Sequence, residues 1–186
     1  MTTRFILISH ALTQWNVEGR IQGHTDVPLN RDGENMAQRL AERLAKETIH
    51  AVYTSDLKRA YQTALPVAEQ KSLKIIQDSR LREGRCINQE RSSTYPTLPF
   101  YKEVETKTDL YLRMAAALSD IARRHDNQSV LVVSHGGAIE IFINHILENT
   151  KENLLTYQGI RMALNRIYYT ARAWQCIKLN DGDFLN

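Results

Sequence analysis

Residues 5–10 read Phe5-Ile6-Leu7-Ile8-Ser9-His10, an unbroken apolar run that stops at two polar residues. A run this short fits a strand buried on both faces. His10 then stands at the C-terminal end of that strand, the edge where open α/β sheets bind ligands. The same pattern returns at Ser129-Val130-Leu131-Val132-Val133, which ends at Ser134-His135-Gly136-Gly137. Two histidines therefore close two core strands.

Outward from these strands the chain alternates. A loop rich in Gly, Asn and Asp spans Asn16 to Gly33, and Met36, Ala37, Leu40 and Leu44 give Glu34 to Lys46 a helical period. Ala51-Val52-Tyr53-Thr54 reads as a strand, with Ser55-Asp56 as the N-cap of a helix through Arg59, Ala60, Thr63 and Ala64. Lys74-Ile75-Ile76 suggests a short strand, and Asp78 to Pro99 an irregular excursion that walls or covers a pocket. Asp109 to His125 and Ala138 to Leu147 read as helices. Ala163 to Thr170 and Ala173 to Leu179, split by Arg172, read as a closing pair of strands. Strands alternating with helices predict a three-layer α/β sandwich with a mostly parallel central sheet and helices on both faces.

The composition agrees and excludes several classes. With 186 residues, 42% hydrophobic and 24% charged, the chain has the size and balance of one globular domain over residues 1–186. The net charge of +3 is dispersed, so a small anionic substrate fits better than nucleic acid; Tyr111, Tyr157, Tyr168 and Tyr169 read as core or rim residues rather than a stacking platform. No apolar run approaches the ~20 residues a membrane helix needs, and the start at Met1 shows no signal pattern, which predicts a cytoplasmic protein off the membrane. Cys86 and Cys176 lack metal or redox spacing and read as free thiols. A homodimer stays open.

Histidines at two strand ends, Arg59 near a helix start and Glu83 in the irregular stretch form a set suited to phosphoryl transfer. A neutral imidazole can attack phosphorus and split one difficult displacement into two, provided its other nitrogen holds it in the right tautomer. Arg59 and His135 are candidates to balance charge on the equatorial oxygens. Glu83 could protonate the leaving oxygen and then activate water. Any one of these residues alone would read more simply as structural; the recurrence of the strand-end placement is what sets them apart.

These residues sit in motifs that resemble the histidine phosphatases of the phosphoglycerate mutase type. Ser9-His10-Ala11-Leu12-Thr13-Gln14-Trp15-Asn16 is similar to that family's signature, in which Arg-His-Gly-Glu-Thr precedes Trp-Asn. Gly19-Arg20-Ile21-Gln22-Gly23, Asp26-Val27-Pro28-Leu29 and Gly33 continue the likeness. Ser55 to Ala64, Leu81-Arg82-Glu83 and Val133 to Gly137 resemble its later motifs, in the right order. The resemblance implies that His10 accepts the phosphoryl group, that Arg59, His135 and Asn16 hold phosphate, and that Glu83 donates the proton. It also places Ser9, Arg20, Gln22, Gly23 and Gly136 on the substrate side of the site. It implies no metal and no cofactor, with a small phosphorylated substrate and inorganic phosphate as product.

The departures from that pattern matter. The arginine before the nucleophile is Ser9, and Ala11 and Leu12 replace the following Gly and Glu; Ile87 and Arg91 stand where the family has Gly, although Glu90 stays in register. A serine cannot reproduce the charge or the planar fork of an arginine. Three readings follow: a phosphatase compensated by Arg20, Arg82 or Arg85, a weakened or inactive phosphate-binding relative, or an introduced change at Ser9. A further reading has the Ser9 hydroxyl merely satisfied by a nearby backbone group. The resemblance also implies hydrolysis rather than mutase chemistry, since the family's mutases carry longer chains with extra segments and this chain is short between Glu83 and His135.

Overall fold

In a computed structural model, residues 2–85, 105–149, 157–171 and 173–184 are described. The strands are β1 Thr2–Ser9, β2 Ala51–Thr54, β3 Ile75–Gln77, β4 Ser129–Ser134, β5 Leu164–Thr170 and β6 Ala173–Asp181. The helices are α1 Gln14–Val17, α2 Arg31–Leu44, α3 Lys58–Lys71, α4 Lys107–Arg124 and α5 Gly136–Asn149, with a 3-10 turn at Ser79–Leu81.

The strands form one sheet in the order β3-β2-β4-β1-β5-β6. Its first four strands run parallel, and β5 turns antiparallel to both β1 and β6. Alternation along the central strands explains the layers. Phe5 and Leu7 face a core with Val130 and Val132, closed by α4 and α5 through Leu110, Met114, Leu118, Phe142 and Ile143. Ile6 and Ile8 face the opposite core with Leu131 and Val133, closed by α2 and α3 through Leu40, Leu44, Ala64 and Val67. A strand covered on both sides needs an unbroken apolar run, which is what residues 5–8 supply.

The helix limits differ from the sequence expectation where capping decides them. Helix α2 begins at Arg31, three residues early, because the Asn30 side chain accepts the Gly33 N–H at 2.8 Å. Helix α4 begins at Lys107 through a capping box between Thr106 and Asp109. Helix α5 begins at Gly136, where the His135 carbonyl accepts the Ile139 N–H at 3.0 Å. The expected Ser55-Asp56 cap of α3 does not form. Leu57 is the N-cap residue, without a side-chain cap, because Asp56 is drawn into a two-point pair with Arg82, both bonds 2.6 Å.

Gly33 is required by a close approach. A Cβ there would lie 2.0 Å from the Leu12 carbonyl oxygen, which also accepts the Asn30 N–H at 3.0 Å. The start of α2 is thereby pressed onto the loop that follows His10. Among the described residues no helix is long and apolar enough to cross a membrane. Cys176 forms no disulfide among the described residues, and Cys86, Ile87, Glu90, Arg91, Leu155, Arg172 and most of the excursion to Pro99 fall outside them.

Candidate active site

The parallel register of β1 and β4 pairs Ser9 with Ser134, and the His10 N–H donates to the Ser134 carbonyl at 2.9 Å. His10 and His135 therefore leave the sheet at the same level. Their ring centroids lie 5.3 Å apart, edge to face. Both residues are almost wholly buried.

His10 is fixed by its own neighbour. Its Nδ1–H donates to the Ala11 carbonyl at 2.7 Å. A carbonyl only accepts, so the proton sits on Nδ1 and Nε2 keeps its lone pair. Burial, then the charge of Arg59, push the His10 pKa down from 6.5 to about 3, and Arg161 adds to the effect against the Ala11 bond, which raises it. The ring is neutral at neutral pH. Helix α3 supports this arrangement: Thr63 Oγ1 accepts the Ala11 N–H at 3.0 Å and donates to the Arg59 carbonyl at 2.6 Å.

His135 is fully buried with neither ring nitrogen partnered among the described residues, and burial holds its pKa well below the usual histidine value. An unpartnered buried polar group costs about 1–3 kcal/mol, so this ring is destabilising unless a ligand satisfies it. Arg59 is also fully buried, and its geometry is narrower than expected. Nη1 donates to the Thr25 carbonyl and Nη2 to the Gly23 carbonyl, each at 2.7 Å, leaving Nε without a partner among the described residues. Much of its fork is spent on the loop at Gly23–Thr25.

Glu83 is positioned by three elements. Its Oε2 accepts the Gly137 N–H at 3.0 Å and its Oε1 the Gly84 N–H at 3.0 Å. The Ser134 hydroxyl donates to the Leu81 carbonyl at 2.8 Å, which ties the acid's segment to the end of β4. Arg113 of α4 donates to the carbonyls of Arg80, Arg82 and Glu83 at 2.7, 2.7 and 2.8 Å and pairs with Glu105. His24 donates through Nε2 to the Glu83 carbonyl at 2.8 Å.

A cavity of about 520 Å³ opens over His10, lined by Ser9, Asn16, Arg20, Gln22, Gly23, Arg59, Glu83 and Gly136. That is the size of an ordinary metabolite site. The structure thus brings these residues and Arg85 to one cavity, while Arg82 is turned to Asp56 outside the lining and His135 lies behind the wall, packed on His10. Asn16 spends its Oδ1 on the Thr13 N–H at 3.1 Å, which leaves Nδ2 for the cavity. Thr13 Oγ1 donates to Gln22 Oε1 at 3.1 Å, leaving the Gln22 amide nitrogen in the same position. Arg20 stacks on Trp15, 3.7 Å from the ring centroid, and pairs with Glu18 at 3.2 Å. Among the described residues no group of three or more His, Cys, Asp or Glu is placed to hold a metal ion.

Sequence reading missed Thr63, Arg113, Gly137 as a seat for Glu83, and Arg161. None carries a local signal, since each acts through a contact across the fold.

Fold and site are those of an α/β protein whose ligand edge carries paired histidines at adjacent parallel strands. A family model of the histidine phosphatase superfamily (branch 1) matches residues 5–182, and the chain belongs to that superfamily. It is 39% identical over 155 residues to phosphoglycerate mutase-like protein 4 of Arabidopsis thaliana, covering 72% of this chain and 66% of that one. It is 35% identical over 149 residues to phosphoserine phosphatase 1 of Hydrogenobacter thermophilus, covering 71% of this chain and 70% of that one. Among solved structures, Bacillus stearothermophilus YhfR superposes with a TM-score of 0.85 at 27% identity, covering 99% of this chain and 100% of that one.

Proposed function

We propose that the chain hydrolyses small phosphomonoesters through a phosphohistidine on His10. The observation that carries the reading is the 2.7 Å bond from His10 Nδ1–H to the Ala11 carbonyl, which leaves Nε2 as a neutral nucleophile at the floor of the cavity.

In the first step His10 Nε2 bonds to phosphorus while the ester P–O bond breaks, and Glu83 passes its proton to the leaving oxygen. In the second, Glu83 takes a proton from water as that oxygen attacks phosphorus. The P–N bond breaks, its electron pair returns to Nε2, and inorganic phosphate leaves. Arg59, which lines the cavity, and the spare amide of Asn16 supply donors for the equatorial oxygens. Relatives named for phosphoserine and phosphoglycerate chemistry support a small phosphorylated substrate.

The test is hydrolysis of p-nitrophenyl phosphate without added metal, beside His10→Ala, with an alkaline denaturing quench, which preserves the acid-labile P–N bond, to trap radiolabelled phosphohistidine. Turnover and trapped label that both vanish in His10→Ala are expected. Equal turnover in the two proteins would remove His10 from the mechanism. Inert protein that still binds phosphate would favour the second reading, a phosphate-binding relative disabled at Ser9.

A further inference from the structure

The site lacks the charged fork that an arginine would present at position 9, and the Arg59 fork is largely committed to backbone carbonyls. The structure places another arginine beside the gap. Ser9 Oγ accepts the N–H of Met162 at 3.1 Å, a buried bond between residues 153 positions apart. The residue before Met162 is Arg161.

The backbone around it is specially shaped. Met162 adopts φ 62°, the left-handed region that side chains other than glycine rarely enter. The Ala163 N–H closes the turn on the Ile160 carbonyl at 3.1 Å. From there β5 runs antiparallel along β1, with Leu7 opposite Asn165. The Ser9 hydroxyl thus anchors the turn that delivers Arg161 to the C-terminal edge of β1, beside His10.

Arg161 lines the same cavity as Ser9 and His10. Arg161 is an exposed residue, and partial desolvation by the protein around it holds its guanidinium below its usual range. Its charge is felt at His10, after burial and Arg59. Among the described residues it has no carboxylate or carbonyl partner. Of the other cations, Arg20 is held by Trp15 and Glu18 and Arg82 by Asp56, while Arg85 and Lys107 line the cavity from segments other than the turn that Ser9 anchors.

We propose that Arg161 is the relocated phosphate clamp of this site: it binds the phosphoryl oxygens above His10 from the β5 side and supplies the charged fork that Ser9 lacks. The proposal rests on the reading of the cavity as a phosphoryl-transfer site. Ser9 then has a positioning role, holding the turn through Met162 rather than touching phosphate. It also explains how a neutral residue is tolerated beside the nucleophile. An arginine at position 9 would break the Met162 bond and set two guanidinium groups against each other.

The test compares Arg161→Ala, Arg161→Gln and Arg161→Lys with the unaltered chain, each checked for folding by circular dichroism. Two quantities are read: kcat/KM for p-nitrophenyl phosphate, and the Kd of inorganic phosphate by calorimetry. Removing one charged transition-state donor should cost about a hundredfold or more in kcat/KM, with weaker phosphate binding and partial recovery in Arg161→Lys. If Arg161→Ala does not fold, Arg161→Gln, which keeps the stem, is expected to show the same losses. A folded, uncharged variant with both quantities unchanged overturns the proposal, and if His10→Ala is inert in the same assay the hydrolase reading survives that result. An unaltered chain that hydrolyses nothing, yet binds phosphate in a way that depends on Arg161, sinks the hydrolase reading and keeps the clamp.

Discussion

Glu83 Oε2 accepts the Gly137 N–H at 3.0 Å, and a Cβ on Gly137 would stand 2.8 Å from Glu83 Oε1. The missing side chain at the start of α5 is what lets the carboxylate settle against the backbone there. Gly137→Ala should displace the end of the Glu83 side chain and leave the core alone. A displacement of about 1 Å at a reacting group costs on the order of a hundredfold, so kcat/KM for an aryl phosphate should fall by about that much. The urea midpoint should stay close to that of the parent; full activity in Gly137→Ala would show that Glu83 does not need this seat.

Thr63 connects helix α3 to the nucleophile's backbone by accepting the Ala11 N–H, and the Ala11 carbonyl in turn holds His10 Nδ1. Thr63→Val keeps the volume and removes the acceptor, leaving a buried N–H unpaired at a cost of about 1–3 kcal/mol of stability. It should also lower kcat more than it changes KM, because the loss falls on the orientation of His10 and not on substrate binding. Thr63→Ser should recover both. A stability loss with kcat untouched would mean that Thr63 supports the fold alone.

The pH dependence of stability follows from the two histidines. His10 is lowered to about 3 by burial, then by Arg59, and His135 lies well below 6.5, again through burial. Between these values and 6.5 the unfolded chain binds more protons than the folded one, so stability is full above about pH 6.5 and falls as the pH drops. Each group contributes a slope of up to ~1.4 kcal/mol per pH unit. Urea unfolding at about pH 7.5 and about pH 5 should show the loss, and His10→Ala should flatten part of it. Equal stability at the two pH values would mean that these rings are charged in the folded protein.

The central strands and the helices that flank them were legible because each depends on local pattern. Phe5 to Ile8 alternate between two cores, and the apolar spacing of Leu40 and Leu44, or of Met114 and Leu118, marks the faces that cover them. Element ends were less legible, since Asn30 and Thr106 cap their helices through side-chain geometry that spacing alone does not reveal. Asp56 shows the limit in the other direction. It has the chemistry of a cap, and Arg82, distant in sequence, takes it instead.

By itself the sequence determined that two histidines end two doubly buried strands, that Arg59 and Glu83 accompany them in a recognisable order, and that an arginine is missing at position 9. Those properties are local, set by runs of a few residues and by motif spacing. Only the tertiary structure decided that the Arg59 fork turns toward Gly23 and Thr25, that Glu83 rests on Gly137, and that Ser9 holds Met162 so that Arg161 reaches the cavity. The physical reason is distance along the chain. The pairing of β5 with β1 joins segments from opposite ends of the sequence, and no local preference records which side chain that pairing will deliver.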